Sequence, residues 1–208
     1  AITVLLGIVL FSLLGKDPWK GLLVFFYEPV RTVYGWTELG VKATPLVLCA
    51  LGLAVCYRSN VWNIGAEGQL LAGAIAGGGV ALLATPQTGP WILVPIVLAG
   101  VAGGVAWAGI TAWLRDRFNA NEILVSLMLV YVAQQLVNWL VFGPWKDPQG
   151  HNFPQTKTFD ASTWLPPLVE RTRLHVGVLV ALAAVALVWL FMFRSYRGYQ
   201  LQVGGLAP

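Results

Sequence analysis

The chain has 208 residues, of which 57% are hydrophobic and only 11% charged. Soluble domains carry about a quarter charged residues. A charged shell therefore cannot cover a water-soluble globule of this length, and a mean hydropathy of +0.71 with ten Trp makes the bilayer the fitting solvent. The net charge of +4 comes from 13 Lys and Arg against 9 acidic residues, scattered without a basic stripe, which argues against a nucleic-acid surface and for loops that face anionic lipid.

Six apolar stretches follow in chain order, at residues 1–15, 44–57 (lengthened backwards to 39), 61–84, 91–114, 123–142 and 176–193. The intact ones approach the ~20 residues that cross roughly 30 Å of hydrocarbon. They are continuous runs, not the alternating segments of a barrel. The expected fold is all-α: a polytopic transmembrane bundle of about six segments, with residues 1–208 as one transmembrane domain. The chain opens in apolar sequence at Ala1 and ends at Pro208 without a terminating element, the pattern expected of a piece of a longer subunit. Residues 16–38 place Trp19, Phe25, Phe26, Tyr27, Tyr34 and Trp36 among a few charges and predict a helix lying in the interface. Residues 143–173 carry five prolines and mixed charge and predict a solvent-facing loop with at most a short helix. Tight turns are expected at 58–60 and 116–122.

Polar groups inside apolar stretches are costly, so the few present are informative. The run Asn63-Ile64-Gly65-Ala66-Glu67-Gly68-Gln69 stands out. Read as helix, it puts Asn63 and Glu67 on one face at i, i+4. Two readings stay open, a pathway or gate element and a polar knot between packed helices. Gly73/Gly77 and Gly100/Gly104 are Gly-x-x-x-Gly pairs, a signal for close helix packing and not for chemistry. Asn121 suits a helix cap and Glu122 the positive end of the helix dipole. Ser126, Gln134, Gln135 and Asn138 add neutral polar groups to the same stretch. Gln134 and Asn138, spaced i, i+4, can hydrogen-bond a neutral solute or a neighbouring helix. Tyr131, three residues before Gln134, can stack on a ring or simply pack.

Cys49 and Cys56 lie seven residues apart. On a helix that is roughly 10 Å along the axis, too far for a disulfide. His151 and His175 belong to no Cys/His cluster, so no metal is expected. No Gly-x-x-x-x-Gly-Lys-Ser/Thr, His-Glu-x-x-His or Gly-x-Ser-x-Gly run occurs. The chain is thus expected to be no enzyme, to need no cofactor, and to draw energy from a partner or an ion gradient.

Three stretches together resemble a known family. Residues 58–69 (RSNVWNIGAEGQ), preceded by Lys42-Ala43-Thr44-Pro45-Leu46, and residues 120–131 (ANEILVSLMLVY) resemble the permease subunits of bacterial ABC importers for simple sugars, nucleosides and branched-chain amino acids. Residues 143–148 (GPWKDP) with Pro154-Gln155-Thr156 look most like the nucleoside-type branch. Residues 198–208 (GYQLQVGGLAP) look like the start of the cytoplasmic coupling segment, with Gln202 where the family usually has a basic residue and Ala207-Pro208 where it usually has Asn-Pro.

The resemblance implies alternating access in the bacterial inner membrane with the N-terminus inside. It implies a second permease subunit as homo- or heterodimer, cytoplasmic ATPase subunits that use the ATP, and an extracytoplasmic solute-binding protein that faces residues 143–173. The translocation path or gate would be lined by Asn63, Glu67, Gln69, Asn121, Glu122, Tyr131, Gln134 and Asn138. Residues 194–208 would meet the ATPase through Arg194, Arg197, Gly198, Tyr199, Gly205 and Pro208. The solute would be nucleoside-like, with a simple sugar as the alternative. From other classes, a membrane scaffold subunit or an ion-coupled secondary carrier also fits the composition.

Overall fold

The computed structural model describes residues 2–150 and 153–206, and among them every extended element is an α-helix. In chain order these are α1 (Ile2–Leu13), α2 (Pro18–Phe26), α3 (Glu28–Arg31), α4 (Val33–Arg58), α5 (Ala66–Ala81), α6 (Leu93–Phe118), α7 (Glu122–Phe142), α8 (Gly177–Arg194) and α9 (Tyr196–Leu206). The described residues form two compact units. The first comprises residues 1–47 and 166–183, the second residues 48–165 and 184–208. The boundaries fall within α4 and α8.

Among the described residues, four spans are long and apolar enough to cross a membrane: Val33–Arg58, Pro90–Phe118 (α6 with the 3₁₀ turn before it), Glu122–Phe142 and Gly177–Arg194. The chain is a multi-pass membrane protein, and the expected six segments are only approximate. α1 has 12 residues and α5 has 16, which at 1.5 Å per residue give about 18 and 24 Å. α5 is shorter than the apolar stretch at 61–84 because its first five residues are not helical.

In the first unit, residues 16–38 are not a single interfacial helix. The Asp17 carboxylate accepts from the Trp19 N–H at 2.9 Å and starts α2 with Pro18 in its first turn. α3 is one turn long, and α4 already begins at Val33. Gly35 fits there because a Cβ would overlap the Pro29 carbonyl. Glu38, expected in the interfacial segment, is therefore an α4 residue. Its carboxylate pairs with the Arg173 guanidinium, the Nε bond being 3.0 Å. Pro45 interrupts the α4 hydrogen-bond ladder, and beside it the Thr44 hydroxyl donates to the Gly40 carbonyl at 2.8 Å.

In the second unit, α5 is the central element. Its Gly73 and Gly77 face Gly100 of α6 so closely that a Cβ at Gly73 would lie 2.8 Å from the Gly100 carbonyl oxygen. A Cβ at Gly103 would lie 2.6 Å from that of Ala76. The two Gly-x-x-x-Gly pairs thus meet each other, backbone against backbone, as small residues permit in lipid. The loop after α7 is not simply solvent-facing. The Trp145 indole lies over α5, 3.5 Å from where a Gly79 Cβ would stand, and Phe159 approaches Gly78. A 3₁₀ turn at Ala161–Thr163 is capped by the Asp160 carboxylate, which accepts from the Ser162 N–H at 2.9 Å.

α8 passes into α9 through Ser195. Its hydroxyl donates to the Phe191 carbonyl at 2.6 Å and accepts from the Gly198 N–H at 2.9 Å.

Candidate functional site

The site is built around the break between α4 and α5. α4 ends in a Schellman arrangement: the Val61 N–H donates to the Cys56 carbonyl and the Asn60 N–H to the Tyr57 carbonyl, at 2.9 and 3.1 Å. Asn60 takes the left-handed conformation, φ +54°, which Asn tolerates better than most residues. Residues 61–65 then run without helical structure. Asn63 is consequently not on a helical face with Glu67, contrary to the i, i+4 expectation. The local backbone donors are drawn elsewhere. The Gly65 N–H donates to Asn63 Oδ1 at 2.8 Å and the Ile64 N–H to Ser126 Oγ on α7 at 3.2 Å. Gly65 is buried, and a Cβ there would stand 2.9 Å from that of Ser126.

Asn63 instead pairs with Gln69. Their amides exchange hydrogen bonds in both directions, at 3.4 and 3.3 Å. Glu67 points to α7, where Gln134 Nε2 donates to its Oε1 at 3.0 Å. That bond joins the two apolar stretches that carried the polar residues. Glu67 remains exposed on the isolated chain, so its second oxygen can meet solute, water or another subunit. Asn138 donates to Gln135 at 3.5 Å while Gln134 turns to Glu67, so the two i, i+4 amides do not act as a pair. Tyr131 is 57% exposed on α7.

Asn121 caps α7, its Oδ1 accepting from the Ile123 and Leu124 N–H groups at 2.9 and 3.3 Å. Glu122 forms an ion pair with Arg115, in the last turn of α6, at 3.1 Å. Between them α6 ends at Asn119, again left-handed at φ +51°. The turn expected at 116–122 is therefore only residues 119–121. A groove of about 550 Å³ opens here, lined by Cys56, Asn63, Gln69, Thr111, Arg115 and Glu122 among others. Its amides and hydroxyl offer donors and acceptors beside the Arg115–Glu122 ion pair, and Asp116 adds a further carboxylate to the lining.

Ser126 was named from the sequence only as one neutral polar group among several in its stretch, and Arg115 was not singled out as a site residue. Ser126 is 1% exposed and ties α7 to the break. A lone serine among apolar helix residues carries little signal of that. Arg115 had a readable one, a basic residue at one helix end seven positions before an acidic residue at the next helix start.

The residues expected to meet an ATPase divide into two sets. Arg194, Arg197 and Tyr199 are exposed, with the Arg194 guanidinium also 6.0 Å from the centre of the Trp189 ring. Gly198 is buried against Phe191 and Met192, and Gly205 faces the backbone of Arg58 and Ser59. Pro208 lies outside the described residues.

A family profile described as branched-chain amino acid transport system, permease component, matches residues 37–207. A glucose ABC transporter permease protein of Haloferax volcanii is 38% identical over 96% of this chain and 54% of its own length. A guanosine ABC transporter permease protein of Bacillus subtilis is 31% identical over 90% of this chain and 52% of its own. A nucleoside ABC transporter permease protein of Lactococcus lactis is 24% identical over 98% of this chain and 58% of its own. The chain spans about half the length of these relatives. No solved structure matches.

Proposed function

Because the chain belongs to the branched-chain amino acid transport system permease family, we propose that it is the membrane-spanning part of an ABC importer for a neutral, nucleoside-like solute. Glu67 bonded to Gln134 carries the reading. A carboxylate inside an apolar stretch costs roughly 3 kcal/mol by the lower estimates and is retained where it serves a path. Here it is held by a neutral amide, with its free edge exposed. Asn63, Gln69, Tyr131 and Asn138 add hydrogen-bonding groups and a ring face suited to a polyhydroxylated solute with a planar base. Asn121 and Glu122 shape the mouth of the groove by capping α7 and fixing Arg115.

The mechanism follows from what the chain offers. Its helices supply a path, its α9 a surface for an ATPase, and the loop over α5 a surface for a delivering binding protein. A second permease subunit would complete the path against the exposed face of α5 and α7. ATP hydrolysis on the partner would alternate access between the two sides of the membrane. A simple-sugar solute is the second reading, compatible with the 38% identity to a glucose permease.

Uptake by the full-length importer in proteoliposomes tests both. Guanosine uptake that requires ATP and the binding protein, unaffected by excess glucose, supports the nucleoside reading. Glucose uptake insensitive to guanosine selects the sugar. Uptake driven by an ion gradient without ATP sinks the importer reading.

A further inference from the structure

α9 is anchored at both ends, and to different parts of the second unit. At its start, Gly198 is buried against the last turn of α8, and Gln202 Nε2 donates to the Met192 carbonyl at 2.6 Å. At its other end, Gly205 rests on the corner where α4 stops. A methyl group at Gly205 would lie 2.9 Å from both the Cα and the carbonyl carbon of Ser59, and still closer to the Arg58 carbonyl oxygen. These are backbone atoms and cannot swing aside as a side chain would. The neighbouring Gly204 has nothing within 4 Å of such a methyl. Two adjacent glycines thus have opposite surroundings, and only Gly205 needs to be glycine for space.

The corner itself is stiff. Ser59 and Asn60 sit inside the Schellman closure of α4, and the Arg58 guanidinium lies 5.4 Å from the centre of the Phe193 ring of α8. Four residues beyond Ser59 comes Asn63, in the non-helical stretch that Ser126 holds to α7. A displacement of α9 therefore has a short covalent route into the polar break, besides the route through α8.

We infer that Gly205 is a positioning residue: it seats α9 directly on the Arg58–Asn60 corner, so that movement of the coupling helix is passed to residues 61–65 and to Asn63. This rests on the reading of α9 as the ATPase-facing segment. Adding a methyl at Gly205 lifts the helix from its seat while leaving the exposed face of Arg197 and Tyr199 unaltered.

The test compares solute transported per ATP hydrolysed in the full-length importer, using guanosine, or glucose if that is the solute carried. Gly205→Ala should lower this ratio roughly 3- to 30-fold with the ATPase still co-purifying, while Gly204→Ala keeps the ratio of the unaltered importer. Equal ratios for the two variants overturn the inference. Should Gly205→Ala fail to reach the membrane, Asn60 probes the same seat from the other side. Asn60→Val, strained in a left-handed corner, should lower the ratio, and Asn60→Gly, at ease there, should keep that of the unaltered importer. If both keep the full ratio, the inference is overturned. Arg197→Glu with Tyr199→Ala tests the premise separately. If ATPase association and uptake are both unchanged, α9 is not the coupling surface, whatever Gly205 does.

Discussion

Helix α5 presents one face to α6 and another to α7, and the two contacts are made on different principles. Toward α6 it is dry and made of glycine and alanine, with backbones touching near Gly73–Gly100 and Gly103–Ala76. Toward α7 it is also close, at Gly65 and Gly68, but it carries Ser126 bonded to the Ile64 N–H and Glu67 bonded to Gln134. The first contact can only hold the helices together. The second holds them and leaves a polar edge exposed. In a bilayer, where apolar burial drives no association between helices, close van der Waals packing serves stability. Polar groups there are kept at a cost and so report on solute.

Substitutions should separate the faces. The largest effect is expected on the dry face: Gly73→Leu forces a side chain into the Gly100 backbone. It should cost about 3 kcal/mol or more, seen as loss of folded protein after detergent extraction. Next comes Ser126→Ala, which removes the part-buried hydrogen bond to the Ile64 N–H at a cost of about 0.5–1.5 kcal/mol. It should lower thermal stability and speed amide exchange at Ile64 without affecting the α6 contact. A third change breaks the comparison if it fails. Glu67→Ala removes one interhelical hydrogen bond, worth about 0.6 kcal/mol in membrane proteins, yet uptake should fall about tenfold or more with expression and ATPase association intact. Uptake equal to the unaltered protein would make the α7 face a packing knot like the α6 face.

The smallest effect should come from acid acting outside both faces. The Ser162 backbone N–H, hydrogen-bonded to the Asp160 carboxylate, holds its pKa below the ordinary 3.8. A depressed carboxyl stabilises the folded loop above its unfolded pKa, and that contribution is lost as pH falls through the folded one. Protection of the Ser162 amide should therefore persist at 3.8 and disappear only below it, while both α5 contacts stay intact.

Much of this was legible along the chain. Long apolar runs with few charges determine helices in a membrane, since a backbone in hydrocarbon must satisfy its own hydrogen bonds. The two Gly-x-x-x-Gly pairs foretold close packing, and Asn121 foretold the start of α7, because a cap is a contact of two or three residues. The resemblance of residues 58–69 and 120–131 to importer permeases pointed to the family that the profile match establishes.

Tertiary structure alone decided how the polar residues are used. Periodicity placed Asn63 beside Glu67, but the Ile64 N–H finds Ser126, 62 residues on, and the helix starts late. Gln134 could have served Asn138 one turn away, and it serves Glu67 on another helix instead. Gly204 and Gly205 are identical in composition and adjacent in sequence, and only the fold sets one against open space and the other against Ser59. Local sequence determines what a backbone must do to bury itself. Which donor meets which acceptor, and which glycine is crowded, depends on partners distant in the chain.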